Sequence, residues 1–377
     1  MNEKEIGELR RRLKPDRTAV THVRGCYVNE AREIVSQFDQ SLAMMTPEEN
    51  EKLLGVLRKT LSGTLGKNLT DITFETQQVV SGEEHKLLMA LRDSKLQDEE
   101  AIQTLFQTAI RSVDLEGSYL ILLAYDAYDV PYRSKDGAQQ DDASEEVFTY
   151  LLCSVCPVKQ TKPALSYLVH ENAFHNLSPD WVVSAPELGF LFPAFDDRST
   201  NLYNALYYCR NVEQNHQDFI DAMFKVPAPM APAVQKETFQ SVLGEALGEE
   251  CSMEVVQAVH AELSGLIEEH KASKVPEPLV ISKRTVSGVL HSCGVDDEHL
   301  EAFSQSYEES FGGDVDLSPK NLVEPGQIQV STPDVTIRIS GERGDLIETR
   351  IIDGRKYILI RADEGVEVNG VPIHITE

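Results

Sequence analysis

An α+β chain of more than one domain is predicted by three features of the sequence. At 377 residues it exceeds what one ordinary hydrophobic core organises. Short apolar runs and helical periodicities are interspersed over its first 226 residues, which predicts a mixed or antiparallel sheet with helices. Alternating runs separated by Asp353-Gly354 and Asn369-Gly370 then close the chain, and such dipeptides are the strongest two-residue hairpin signals. The expected layout is an α+β domain at 1–226, a Pro-rich linker at 227–232, a small helical unit at 233–326 and a small antiparallel β module at 327–377.

Each element has its own signal. The opening MNEKEIGELRRRLK has helical spacing. Residues 19–27 and 31–38 alternate and form a hairpin through Val28, Asn29 and Glu30. Thr46-Pro47-Glu48-Glu49 opens a helix with an N-cap, Pro at the first position and acids in the first turn, ending near Gly63. Residues 71–80 read as a strand, and 83–93 and 97–113 as helices. Runs at 118–125, 147–158, 164–169 and 181–184 are bounded by Gly, Pro or Asp, as sheet strands are. Between the first two, 133–144 is polar enough for a mobile loop. PELGFLFPAFDDRSTN reads as a loop emptying into a helix at 202–210, because Asp and Ser precede that run. A helix at 214–224 follows. Proline then excludes helix or central strand from 226 to 232. Helices are expected at 234–247, 252–271, 282–291 and 296–311, and strands in VTIRIS, LIETRII and KYILIRA.

Composition narrows the function classes. The longest apolar stretch, 119–125, is far below the roughly 18–20 residues of a membrane-spanning helix. The start lacks the pattern of a secretory leader. Cysteines 26, 153, 156, 209, 251 and 293 sit mostly singly in apolar patterns, as reduced core thiols do, so a soluble cytoplasmic chain is expected and the Asn68 and Asn176 triplets carry no glycan. A formal charge of −27 repels phosphate backbones and anionic lipids. Residues 1–24 hold seven Lys or Arg against four acids, which fits an ordinary solvated helix.

No motif survives inspection as a signature of catalysis. Cys153-Ser154-Val155-Cys156 lies in a strand, where i and i+3 point to opposite faces, and no second pair completes a zinc site. His170 and His175 have one residue too many between them for a metalloprotease helix, leaving surface or turn histidines. LSGTLGKN lacks the first Gly and the Ser or Thr of a phosphate loop. Dinucleotide, serine-hydrolase and kinase signatures are absent. Residues 282–311 outline a helix-turn-helix, but Asp296, Asp297, Glu298 and Glu301 open its second helix, and 233–326 carries six basic against 18 acidic residues.

The most site-like stretch is 187–201, where Glu187, Asp196, Asp197, Arg198 and Asn201 crowd between apolar segments. Adjacent carboxylates with an Arg suit a divalent ion or a polar ligand. The bland alternative is that Asp197 or Ser199 caps the next helix while Arg198 pairs with a neighbour. A secondary candidate is Asp126, Tyr128 and Asp129 at the end of the strongest strand.

YVNEAREIVSQFDQSL, TLSGTLGKNL, EEHKLLMALRDS, YLILLAYDAYDVPY, SAPELGFLFPAFDDRSTNLYNALYY and LIETRIIDGRKYILI together resemble the bacterial family called domain of unknown function 4317, over nearly the whole chain. That resemblance implies no activity, cofactor or catalytic residue. The layout is also similar to that of bacterial nucleoid-associated proteins, at the level of fold analogy alone. The reading that follows is a non-catalytic cytoplasmic interaction or regulatory protein whose partner is protein rather than membrane or nucleic acid. The alternatives are an enzyme binding a metal or polar substrate at 187–201, and a nucleoid-associated protein. Oligomeric state, cofactor and reaction stay open.

Overall fold

The computed structural model describes residues 1–133, 139–214, 216–227, 229–273, 275, 277–313, 315–362, 365–368 and 370–374. The chain forms two compact units, the first spanning Met1–Pro232 and the second Ala233–Val275 with Leu279–Glu377.

In the first unit, α1 (Glu3–Arg12) leads into the hairpin β1 (His22–Val28) and β2 (Ile34–Ser41), then α2 (Pro47–Lys59) and β3 (Leu69–Thr73). Helices α3 (Thr76–Ser81), α4 (Glu83–Asp93) and α5 (Glu99–Ser112) precede the long strands β4 (Tyr119–Arg133) and β5 (Gln139–Gln160). Strands β6 (Ala164–Leu168), β7 (Ala173–Leu177), β8 (Trp181–Val183), β9 (Leu188–Phe192), β10 (Ala194–Asp196), β11 (Ser199–Asn201) and β12 (Asn204–Cys209) lead to α6 (Gln217–Phe224). The main sheet runs β2-β1-β4-β5-β9-β12-β3, with β8 beside the end of β5, and every pairing is antiparallel.

Alternation along the strands divides the core between the two faces of this sheet. Ile121, Leu123, Cys153, Phe190 and Tyr207 pack with α4, α5 and α6 on one face. Leu122, Leu152, Cys156, Leu191 and Leu206 pack with Ile6 and Leu9 of α1 and Leu54 and Leu57 of α2 on the other. The expected N-cap of α2 forms as part of a capping box, with Thr46 Oγ1 accepting from the Glu49 amide at 3.3 Å and the Glu49 carboxylate accepting from the Thr46 amide at 2.8 Å.

Four local expectations are corrected. Residues 204–209 are strand β12 rather than a helix, because they lie between β9 and β3 with both faces covered, and a doubly buried strand shows a continuous apolar run. The loop expected before them holds β9, β10 and β11. The strand expected at 71–80 stops at Thr73, and α3 follows, opened where the Gln78 side chain accepts from the Glu75 amide at 2.9 Å. In the expected loop 133–144, residues 139–144 continue β5 and pair with β4, whereas 134–138 lie outside the described residues.

In the second unit, α7 (Pro232–Leu247), α8 (Met253–Ser273), α9 (Lys283–Ser292), α10 (Asp297–Phe311) and α11 (Pro319–Leu322) enclose an apolar cluster around Phe239, Leu263, Phe303 and Tyr307. Three two-stranded antiparallel sheets follow: β13 (Gln327–Ser331) with β14 (Thr336–Ser340), β15 (Ile347–Ile352) with β16 (Arg355–Ile360), and β17 (Val366–Val368) with β18 (Val371–Ile373). Asp353 and Gly354 make the β15–β16 turn with φ of 51° and 75°, the left-handed pair a two-residue hairpin needs. Asn369 lies outside the described residues.

Candidate functional site

The residues singled out at 187–201 are placed on different parts of the first unit. Glu187 precedes β9 and pairs with Arg210 beyond β12. Asp196 ends β10, past the whole of β9, whose five residues span on the order of 17 Å. There Asp196 accepts from Asn201 Nδ2 at 2.7 Å and lies 2.6 Å from the Met1 ammonium. Asp197 and Arg198 form the β10–β11 turn, both at positive φ (49° and 60°). Neither Asp197 nor Ser199 caps a helix, since none follows. Arg198 holds both Glu8 carboxylate oxygens at 2.7 Å and donates to the Pro131 carbonyl at 2.9 Å. Thus Asp196 and Asn201 meet, Arg198 meets α1, and Glu187 stands apart.

The secondary candidate divides similarly. Asp126 is buried beneath α1 and accepts from Tyr150 Oη at 2.8 Å, the Ala19 amide at 2.8 Å and Arg12 Nη2 at 3.2 Å. Tyr128 donates to Glu8, and the Arg12 guanidinium sits 4.8 Å above its ring. Asp129 is exposed. Burial, followed by Asp126, pushes the Tyr150 hydroxyl well above its ordinary range, and burial with Glu8 raises Tyr128 to about 12. Both tyrosines therefore stay neutral. The carboxylates of Asp126 and Glu8 each face an Arg, so the cluster couples α1 to β4, β5 and the β10–β11 turn as a largely buried polar network in which the Arg198 Nε alone is left without a partner among these groups.

Other chemistry-bearing side chains are similarly engaged. Cys153 and Cys156 are buried on opposite faces of the sheet, with Cys156 raised to about 12 by burial. Cys26 and Cys209 are raised to about 11, also by burial, so none of these is a thiolate nucleophile at neutral pH. His170 and His175 are exposed and flank Glu171 at 3.3 and 2.8 Å. In the second unit Glu250, Asp296 and His299 place ligand atoms within 4.8 Å of one another, the one such group among the described residues. Asp296 is the N-cap of α10, accepting from the His299 amide at 2.9 Å and contacting its ring Nδ1 at 2.8 Å, which accounts for the cluster.

The most unusual surface of the first unit lies elsewhere, at residues 161–183. Strands β6 and β7 pair only with each other, and β8 runs back along β5. The hairpin base is pinned where Thr161 N donates to the Asp180 carbonyl and Asp180 N donates to Thr161 Oγ1, both at 2.8 Å. Beyond that clamp the large apolar side chains of the hairpin face solvent: Val169 is 81% exposed, Leu165 71% and Phe174 69%, joined by Tyr167 and Leu177; on the near side of it, in β8, Trp181 is 59% exposed, with Val182 and Val183. Tyr167 and Phe174 sit opposite each other with ring centroids 5.2 Å apart. Leu165, Tyr167 and Phe174 share one face of the hairpin, and clustered exposed apolar side chains mark a candidate binding site.

The family model matches residues 1–371. The chain belongs to the family described as Domain of unknown function (DUF4317). No curated protein and no solved structure matches it. No helix among the described residues is long and apolar enough to cross a membrane.

For this DUF4317 chain, sequence reasoning missed the arm at 161–183. It identified β6 and β8 as strands, yet treated their apolar residues as sheet interior. Two signals were available. The stretch carries Lys162, Glu171 and Asp180 as its only charges in a strongly acidic chain, and Pro163 and Pro179 bracket its hairpin. No helical segment lies between 161 and 183 to cover it.

Proposed function

We propose that this protein is a non-catalytic interaction protein of the cytoplasm and that the arm at 161–183 is its protein-docking surface. The observation that carries this reading is the set of exposed large apolar side chains on a hairpin with a pinned base, Leu165, Tyr167, Val169, Phe174 and Leu177, with Trp181, Val182 and Val183 exposed on the adjoining β8. Exposing such a surface to water is unfavourable, and covering it with another apolar surface removes that cost. Two further facts support it. The carboxylates and tyrosines that sequence analysis offered as catalytic or ligand groups are mostly engaged with Arg or amide partners. All six cysteines are free and mostly buried, which suits a reducing compartment. The start of α10 presents Asp296, Asp297 and Glu298, so nucleic acid is not part of the proposal.

Site-specific photocrosslinking in cells tests it. A photoreactive side chain at Phe174 is expected to give a discrete protein adduct, and one at Val80, which is 74% exposed on α3, is expected to give none. Equal yields at the two positions would remove the docking reading.

A further inference from the structure

We infer that the partner docking on the arm is a second copy of this chain, joined edge to edge through β6. This deepens the docking reading and rests on it.

Strand β6 pairs with β7 along one edge, and its other edge has no strand beside it among the described residues. Open edges are ordinarily protected by charges, prolines or bulges, because unpaired N–H and C=O groups template further pairing. Ala164-Leu165-Ser166-Tyr167-Leu168 carries no charge and no proline within it, and Pro163 sets its start. β7 is a poorer candidate, since His175 lies at its centre.

The sequence of β6 is complementary to itself. A two-fold axis through Ser166 pairs two β6 strands antiparallel. Leu165 then stands opposite Tyr167 of the second copy on one face, and Ala164 opposite Leu168 of the second copy on the other. Every cross-strand pair except the central serines is apolar. Within each copy, Tyr167 is opposite Phe174 and Leu165 opposite Asn176. The four-stranded sheet β7-β6-β6-β7 therefore gathers both copies' Phe174, Tyr167 and Leu165 into one stripe, and it retires the open β6 edges.

Charge favours this occupant. Two copies each bearing −27 repel over most of their surfaces. The arm, with one Lys and two acids in 23 residues, is where they approach with little penalty. A partner recognised through the chain's acidity would find almost no charge here.

The experiment uses the full chain. Sedimentation across a wide concentration range is expected to show a reversible monomer–dimer equilibrium. Charging the edge by Leu165→Lys with Tyr167→Lys is expected to raise the dimer dissociation constant about a hundredfold or more. Circular dichroism of that variant guards against unfolding. Geometry is read separately in a Cys293→Ser background. A mixture of Leu165→Cys and Tyr167→Cys chains should form an inter-copy disulfide faster than a mixture of Ala164→Cys and Tyr167→Cys, whose side chains leave opposite faces of the strand. A chain monomeric throughout, a dimer indifferent to the two lysines, or equal disulfide rates would overturn the inference. If the chain is monomeric while Phe174 still crosslinks to a different protein, the second copy is excluded and the docking reading stands. Absence of any adduct at Phe174 removes both.

Discussion

Strands β9 and β6 are built from the same kinds of residue and end in opposite circumstances. In β9, Leu188-Gly189-Phe190-Leu191-Phe192 is wholly buried: β5 and β12 pair with its two edges, and the apolar clusters of α6 and α2 cover its faces. In β6, Ala164, Leu165 and Tyr167 are exposed, one edge is paired, and no helix covers either face. Strand propensity is a local property, whereas coverage belongs to the tertiary structure. Apolar content therefore predicts both strands and cannot tell a core from a docking surface.

Truncating one aromatic in each region sharpens this contrast most. Phe190→Ala empties a position between Phe219 and Phe224, whose rings lie 6.4 and 5.2 Å from its own, and should cost about 3–5 kcal/mol in urea unfolding. Phe174→Ala, measured in dilute protein, should stay within about 0.5 kcal/mol of wild type. Similar losses at both positions would mean that the arm is covered within its own chain, and the comparison would fail.

A buried polar residue gives the next largest effect. Asp126→Ala strands the fully buried Tyr150 hydroxyl and the Ala19 amide and leaves Arg12 without its carboxylate. The expected loss is about 3 kcal/mol, and the paired variant Asp126→Ala with Tyr150→Phe should recover part of it, because one orphaned donor disappears. Additive losses would show that the network is not coupled.

Much of this architecture was legible in the sequence, and the failures have particular causes. Helices with a polar cap and an apolar stripe were found, among them α2, α5 and α10, because cap and periodicity agree. β12 was mistaken for a helix because Asn204–Cys209 is buried almost throughout, so the alternation that distinguishes strand from helix is missing. The turn at Asp197-Arg198 was mistaken for a helix entry because Arg is an unusual occupant of a left-handed position, where Asn or Gly would have announced a hairpin. The partners of the candidate site were beyond reach altogether: Glu8 and Arg12 lie 190 and 114 positions from Arg198 and Asp126. Pairings over such separations follow from sheet order, which local patterns do not encode.

Caps contribute less than cores. Thr46→Ala removes an acceptor for the Glu49 amide and should cost about 1 kcal/mol, with Thr46→Ser restoring most of it. Equal stability of both variants with wild type would assign the start of α2 to Pro47 and to packing.

The smallest effect belongs to the second unit, where Asp296 and His299 form an exposed pair rather than a buried one. Hydrogen bonds from the His299 amide and ring, in that order, hold the Asp296 carboxyl below its ordinary 3.8. The Asp296 side chain in turn raises His299 above 6.5, with Glu250 adding to the rise from 3.6 Å. The signs define a window. His299 has a higher pKa folded than unfolded, so its contribution is complete below about 6.5 and fades as pH climbs through the raised value. Asp296 has a lower pKa folded, so its contribution is complete above about 3.8 and fades as pH falls through the depressed value. The pair therefore supports α10 most between those limits and weakens on either side. Proton NMR of the His299 ring reads this directly. Asp296→Asn keeps an equally good cap and removes the charge, so the His299 midpoint should fall toward 6.5 while α10 persists. An unchanged midpoint would transfer the cause to Glu250, which Glu250→Gln then tests in the same titration.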